Sequence, residues 1–516
     1  MAEKEVFKEV IFKGYSFKGE SLALGTAMLQ GEVIPGSRIS IPLSTMNRHG
    51  LLAGATGTGK TKSFQLIAEE LSNASVPVLV MDIKGDLSGI AAVGTINDKI
   101  KERYASMGLE WKPDAFPAEL LSLSREEGVT LRATVSEFGP VLLSKILGLN
   151  DTQGGVVSMI FKYCDDNQLP LLDLKDFIKV LQFAGNKGKK ALQQTYGNIS
   201  TTSTGTILRK VIELQQQGAD HFFGEKSFEV DDLMRISDDG RGVINILRVT
   251  DLQDRPKLFS TFMLQMLAEL YSTLPEEGDL DKPKLVIFID EAHLIFQEAT
   301  KVLLEQIETI IKLIRSKGVG IYFCTQNPMD IPAPVLGQLG LKIQHALRAF
   351  TAADRKTIKQ TAENYPETKF YQTEDLITKL GIGEALVTIL NEKGIPTPLA
   401  HTMMLTPGSR MDVLSDSELK KLVHQSRLVT KYNDTIDRES AYEILNAKIN
   451  DAIEKSENLQ NTKGKEAPNR PTIIEQVAEN TIVKSMMRTA GNTIVRSLLG
   501  SLGLGGRRRS KSKSWF

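Results

Sequence analysis

The chain has 516 residues, 41% hydrophobic and 24% charged, which places it in the ordinary globular range and argues against disorder as its default state. Lys plus Arg (63) equals Asp plus Glu (63), so no global positive field exists and any contact with a polyanion has to be local. Cys164 and Cys324 lie far apart and belong to no C-x-x-C pair, which argues against a disulfide framework or a zinc site.

The opening MAEKEVFKEVIFKGY has no continuous apolar core, so neither a secretory signal nor a transit peptide is expected, and no run approaches the length of a membrane span. A cytoplasmic setting follows as the expectation. Residues 1–45 read as short strands and turns around Gly14, Gly19, Gly25, Gly31 and Gly36, a β-rich lead-in. From His49 to about Leu87 the pattern is strand, glycine-rich loop, helix, strand, a βαβ unit whose continuous apolar strands predict a parallel sheet buried on both faces.

Within that unit Gly54, Ala55, Thr56, Gly57, Thr58, Gly59, Lys60 and Thr61 fit G-x-x-x-x-G-K-[ST] in the strand-to-helix context the motif requires. Glycines let backbone N–H groups turn around phosphates, and Lys60 supplies a charge for the β- and γ-phosphates. Thr61 places a hydroxyl on Mg²⁺, and the helix start, with Lys62 next in line, adds its positive dipole end. ATP with Mg²⁺ is the expected ligand. Asp82, Lys84 and Asp86 follow the second strand, where help with the metal shell competes with a plain solvated loop of mixed charge.

Residues 99–234 carry apolar positions at helical spacing between widely spaced breakers and read as a helical insertion. Its segment GNKGKKAL offers Lys187, Lys189 and Lys190 as a loop for gripping a nucleic-acid backbone, against the reading of a solvated surface. Strand signals return in GVINIL, KLVIFID, GVGIYFCTQ, KIQHALRA and EALVTIL, so residues 46–98 and 235–410 form one α/β core interrupted by the insertion.

The run LVIFIDE delivers Asp290 and Glu291 to the C-terminal end of an apolar strand, where α/β sheets bind ligands. Asp290 suits the Mg²⁺ shell and Glu291 suits polarising an attacking water, which turns a nucleotide binder into a hydrolase. Asp290, Glu291, Ala292 and His293 spell DEAH, yet the Ser-Ala-Thr triplet and the late arginine-rich motif of the helicases named for it are missing. The next strand ends instead in Thr325-Gln326-Asn327-Pro328, with Gln326 set to sense the γ-phosphate. Arg315, at the end of the helix before Gly318, is the leading candidate for an arginine acting from a neighbouring subunit, with Arg348 its competitor. No Asn-Lys-x-Asp guanine reader is present.

Residues 411–460 read as C-terminal helices. Residues 461–516 read as linker, amphipathic segment and basic tail with Arg496, Arg507, Arg508, Arg509, Lys511 and Lys513, suited to DNA phosphates or to an acidic membrane surface.

On MNRHGLLAGATGTGKT, VMDIKGDLSG, FIDEAHLIF, IRSKGVGIYFCTQNPMDIP, QHALRAF and GIGEALVTIL, the chain resembles the HerA/FtsK superfamily, most of all a bacterial family of HerA-like helicase-domain ATPases. The likeness spans roughly residues 46–410 and resumes in the basic tail. It implies a RecA-like P-loop core, a homo-hexameric ring around a pore, nucleotide at subunit interfaces and action on DNA. It also implies P-loop roles for Lys60 and Thr61, Walker B roles for Asp290 and Glu291, a sensor role for Gln326 and a trans-acting role for Arg315. Only about 45 residues precede the P-loop, fewer than the β-barrel by which HerA engages a nuclease, so a nuclease partner is not expected. The competing expectation is a regulatory or assembly ATPase that remodels a protein partner without nucleic acid.

Overall fold

Short aliphatic runs build the sheet. In the computed structural model, which describes residues 2–250, 255–278, 280–297, 301–434, 436 and 438–450, twelve strands form one sheet. They are β1 (Ser21–Leu29), β2 (Glu32–Pro42), β3 (Gly50–Ala53), β4 (Val78–Asp82), β5 (Ala118–Ser122) and β6 (Val129–Thr130), followed by β7 (Ile244–Arg248), β8 (Leu285–Ile289), β9 (Val319–Thr325), β10 (Leu341–Gln344), β11 (Glu384–Thr388) and β12 (Ala400–Met404). Their order is β2-β1-β12-β11-β10-β3-β9-β8-β4-β7-β5-β6. From β10 to β6 every pairing is parallel, and from β10 back to β2 every pairing is antiparallel.

Every residue of β3, β4, β8 and β9 is buried, as strands covered on both faces require. The helix Lys60–Asn73 lays Phe64, Ile67, Ala68 and Leu71 on the sheet, with the Phe64 ring stacked 4.5 Å from Phe288. Truncating a ring packed in this way costs roughly 3–5 kcal/mol. Because β3, β9, β8 and β4 run parallel, their C-terminal ends share one edge, and the P-loop, Gln326, Asp290 with Glu291, and Asp82 all emerge there.

The chain divides into two compact units. The first, residues 1–131, 228–260 and 274–434, holds the whole sheet. The second comprises residues 132–227, 261–273 and, among the described residues beyond 434, residues 436 and 438–450. Within it lie the helices Val135–Ile146, Asp151–Asn167, Leu174–Gly185, Lys189–Tyr196 and Thr201–Gln216, the first three opened by capping boxes at Thr134, Asn150 and Asp173.

Three expectations need correcting. Residues 2–15 are a helix and not strands: Phe7, Ile11 and Tyr15 recur every four residues and are all buried, whereas the charges between them mimic alternation. Residues 99–234 are not wholly a helical insertion, because β5 and β6 extend the parallel sheet and the compact helical unit starts at 132 and breaks at 227. Glu119 hid that strand from the pattern, since a buried carboxylate within five residues reads as polar; it is held by Arg235 at 2.6 Å. The C-terminal helices Asp416–Gln425 and Arg427–Tyr432 belong to the first unit and residues 441–450 to the second, so 411–460 is not one segment. The linker, the amphipathic stretch and the basic tail lie outside the described residues. No helix among the described residues is long and apolar enough to cross a membrane.

Candidate functional site

The site begins where β3 stops. Gly54 leaves the strand at φ +156°, and a Cβ there would sit 2.5 Å from the His345 Cβ, so only glycine passes this point. The loop is anchored by Gly54 N–H to the Thr325 carbonyl (3.2 Å), Ala55 N–H to the Ala346 carbonyl (2.9 Å) and the Thr58 hydroxyl to the Ala55 carbonyl (2.7 Å). Gly59 then opens the helix at Lys60 in the left-handed region, with no side-chain cap and no acid in the first turn. The N–H groups of Gly59, Lys60 and Thr61 have no acceptor among the described residues, and the positive end of the helix dipole lies with them.

Lys60 is 5% exposed, and its ammonium has no hydrogen-bond partner among the described residues. Leaving a buried ammonium unpaired is costly, and such a group is kept where an anion completes it. Its charge acts on both Asp290 and Glu291. Asp290, 1% exposed, leaves Oδ2 without a hydrogen-bond partner among the described residues, and burial, partly offset by Lys84 and Lys60, raises its pKa.

Glu291 adopts φ +44°, a conformation a non-glycine residue occupies only under constraint. The constraint is visible on both sides: Ala292 N–H donates to the Cys324 carbonyl (2.9 Å) and Leu294 N–H to the Glu291 carbonyl (2.9 Å). Its Oε1 pairs with the Lys84 ammonium and accepts from Gln326 Nε2 at 3.3 Å, while His293 Nδ1 stands 3.3 Å from Oε2. Burial pushes the Glu291 carboxyl up, but the hydrogen bond from Lys84 and the charges of Lys60 and Lys84 more than offset this and hold it below the usual range.

The loop after β4 is not a solvated turn of mixed charge. Asp82, 1% exposed, accepts from the N–H groups of Gly85 (2.7 Å), Asp86 (3.2 Å) and Leu87 (3.1 Å), which fixes the bend that points Lys84 at Glu291. Burial and the neighbouring Asp86 push Asp82 up to about 7. Lys62 turns to Gln65 at 3.1 Å, and burial lowers its pKa.

Two partners of the site escape sequence reasoning. Lys84 meets Glu291 because β4 lies beside β8, a pairing that spacing does not encode. His345 backs the P-loop at Gly54; its Nδ1 is 2.9 Å from the Glu384 carbonyl, and burial pushes it down to about 4, so it is neutral. The QHALRAF string was the one available signal for it.

The two arginines do not join this cluster. Arg315, exposed, opens the turn Arg315–Lys317 before β9 and therefore lies at the opposite edge of the sheet, near His49 at the start of β3. Arg348, also exposed, donates to the Thr378 carbonyl at 2.7 Å and lines an open groove of about 460 Å³ with Phe350 and Arg355.

A phosphate loop after one strand, with paired carboxylates at the tip of the next strand but one and a parallel sheet beneath, defines a P-loop nucleotide hydrolase with a RecA-like α/β core. Residues 28–509 match the family described as Helicase HerA-like C-terminal, and the chain belongs to that family. Among its relatives, the DNA double-strand break repair helicase HerA of Sulfolobus acidocaldarius is 22% identical over 389 residues, covering 72% of this chain and 70% of that one. The enzyme of the same name from Saccharolobus solfataricus is 21% identical over 371 residues, covering 68% of this chain and 63% of the relative, so part of the relative's length has no counterpart in the match. The bacterial conjugative coupling protein TrwBdeltaN70 superposes with a TM-score of 0.51 at 13% identity, over 79% of this chain and 94% of its own, a likeness of fold.

Proposed function

We propose that this chain hydrolyses ATP and spends the energy on moving along DNA as a ring of identical subunits, six being the number its family resemblance implies. The observation that carries the reading is the buried, partnerless Lys60 ammonium facing the carboxylates of Asp290 and Glu291. A triphosphate supplies the acceptors that Lys60 and the open N–H groups of residues 59–61 lack.

Mg²⁺ fits the same pocket, because the orphaned Asp290 Oδ2 and the Thr61 hydroxyl are oxygen donors of the kind it takes; when bound, it neutralises charge on the β- and γ-phosphates. Glu291, kept ionised by Lys60 and Lys84, accepts a proton from the attacking water, and Gln326, already bonded to Glu291, reports on the γ-phosphate. The trans role that the family resemblance implies for Arg315 is compatible with its position at the sheet edge opposite the P-loop, away from the nucleotide site of its own subunit.

Lys84→Ala gives a test within the site. Lys84 holds the Glu291 pKa down, so its removal raises that pKa, and the acidic limb of the kcat/KM profile moves to higher pH. An unmoved limb would mean that Glu291 is not the group titrating.

The names of the relatives support DNA as the track. In the second unit, Lys187 and Lys190 are exposed at the start of the short helix Lys189–Tyr196, as a backbone-gripping loop requires. Duplex DNA should stimulate ATP turnover at low salt, with an apparent affinity that falls steeply as salt rises. Turnover that ignores every form of DNA would refute translocation and favour a protein substrate.

A further inference from the structure

A nucleotide has a second end, and the sheet order says where it lies. Asp290 and Glu291 follow β8 and Gln326 follows β9, all on one flank of β3; β10 and β11 lie on the other. A triphosphate whose γ end faces the carboxylates sends its α end and base toward the second flank. There β11 is preceded by the turn Gly381-Ile382-Gly383, and since β11 runs antiparallel to β10 the turn sits at the same edge as the P-loop.

That turn is fastened to the P-loop directly. Gly383 N–H donates to the Thr58 carbonyl at 3.0 Å, and Gly59 approaches so closely that a Cβ on it would lie 3.1 Å from the Gly383 nitrogen. The Arg103 guanidinium donates to the carbonyls of Ile382 (2.8 Å), Gly383 (3.1 Å) and Met404 (3.0 Å), and the Glu384 carboxylate accepts from Gly381 N–H at 3.0 Å. Gly383 itself takes φ +75°. Every backbone group of the turn named here is tied down, yet its one side chain, Ile382, is 72% exposed. A rigid turn that holds an aliphatic side chain out in water beside a phosphate loop is built for an apolar face of the ligand.

We propose that Ile382 is the platform on which the purine base of the bound nucleotide packs, a specificity element that rests on the P-loop reading above. Arg103 acts behind it as a positioning residue by holding the turn.

The test compares Mg²⁺–ATP with Mg²⁺ and inorganic tripolyphosphate, which has the phosphates and no base, by titration calorimetry on the full chain. Ile382→Ser should raise the Kd for ATP about fivefold, the effect of losing roughly 40 Å² of apolar contact, and leave tripolyphosphate within about twofold. Ile382→Phe should bind ATP at least as tightly as the parent, because an aromatic face stacks on a base. In steady state the serine variant should show a raised KM with kcat unchanged.

Equal weakening of both ligands, or no change in ATP affinity, would overturn the proposal. A change in assembly mass without a change in ATP affinity would also overturn it and assign Ile382 to a neighbouring copy. Lys60→Ala must lose both ligands; if it loses neither, the P-loop reading fails, which separates that failure from this one.

Discussion

Replacing Glu291 by glutamine lowers ATP turnover by roughly 10²–10⁴-fold while ATP continues to bind, since that is the range a positioned proton acceptor contributes. The substitution keeps the shape of the side chain and the hydrogen bond with Gln326, but removes the negative charge that Lys84 and Lys60 hold in place. The backbone at this residue is fixed by the hydrogen bonds of Ala292 and Leu294, so the strained φ +44° stays and the fold does not report the change. Measured as kcat against Kd, the variant separates chemistry from binding; turnover near the parent rate would remove Glu291 from the reaction. The same variant also probes Arg315. Mixed with Arg315→Ala subunits, it should regain part of the lost turnover if the arginine reaches across an interface, and no regain would exclude that role.

Lys60→Ala should abolish useful nucleotide binding, by about 3 kcal/mol or more in affinity, near 150-fold in Kd. The opposite effect is expected on the nucleotide-free protein. Lys60 is buried with no hydrogen bond among the described residues, and only the charges of Asp290 and Glu291 offset its desolvation, so its removal relieves an incompletely paired buried charge and should leave Tm unchanged or raised. A binding residue that stabilises only when its ligand is present gives this pair of signs. A fall in Tm together with retained binding would assign Lys60 to the architecture of the loop.

Asp290, Glu291 and Gln326 were legible in the sequence because each follows an apolar run that marks a strand tip, and Lys60 because the glycine-rich motif leads from such a tip into a helix; parallel strands bring these tips to one edge. Lys84 was visible but mute. Its loop carries Asp82, Lys84 and Asp86 in a pattern that solvent would suit equally well, and only the adjacency of β4 and β8 turns Lys84 toward Glu291. His345 was hidden for a different reason: a lone histidine in an apolar run is silent about the Gly54 backbone it packs on.

At the level of fold, the central strands announced themselves by their unbroken burial, whereas the helix of residues 2–15 and strand β5 did not. In the helix, Phe7, Ile11 and Tyr15 are three anchors among charges that mimic a strand's alternation. In β5, the buried ion pair of Glu119 with Arg235 broke the apolar signature. The second unit draws on three separate stretches of the chain, residues 132–227, 261–273 and 438–450, and local periodicity carries no information about that return.

The reaction proposed is one in which Glu291 readies water to cut a triphosphate held by Lys60. Its most direct test is the chemical identity of the nucleotide retained by the Glu291→Gln chain after incubation with Mg²⁺–ATP and rapid removal of free ligand. Intact triphosphate, at about one per subunit or fewer, is the predicted result; diphosphate in its place would contradict the account.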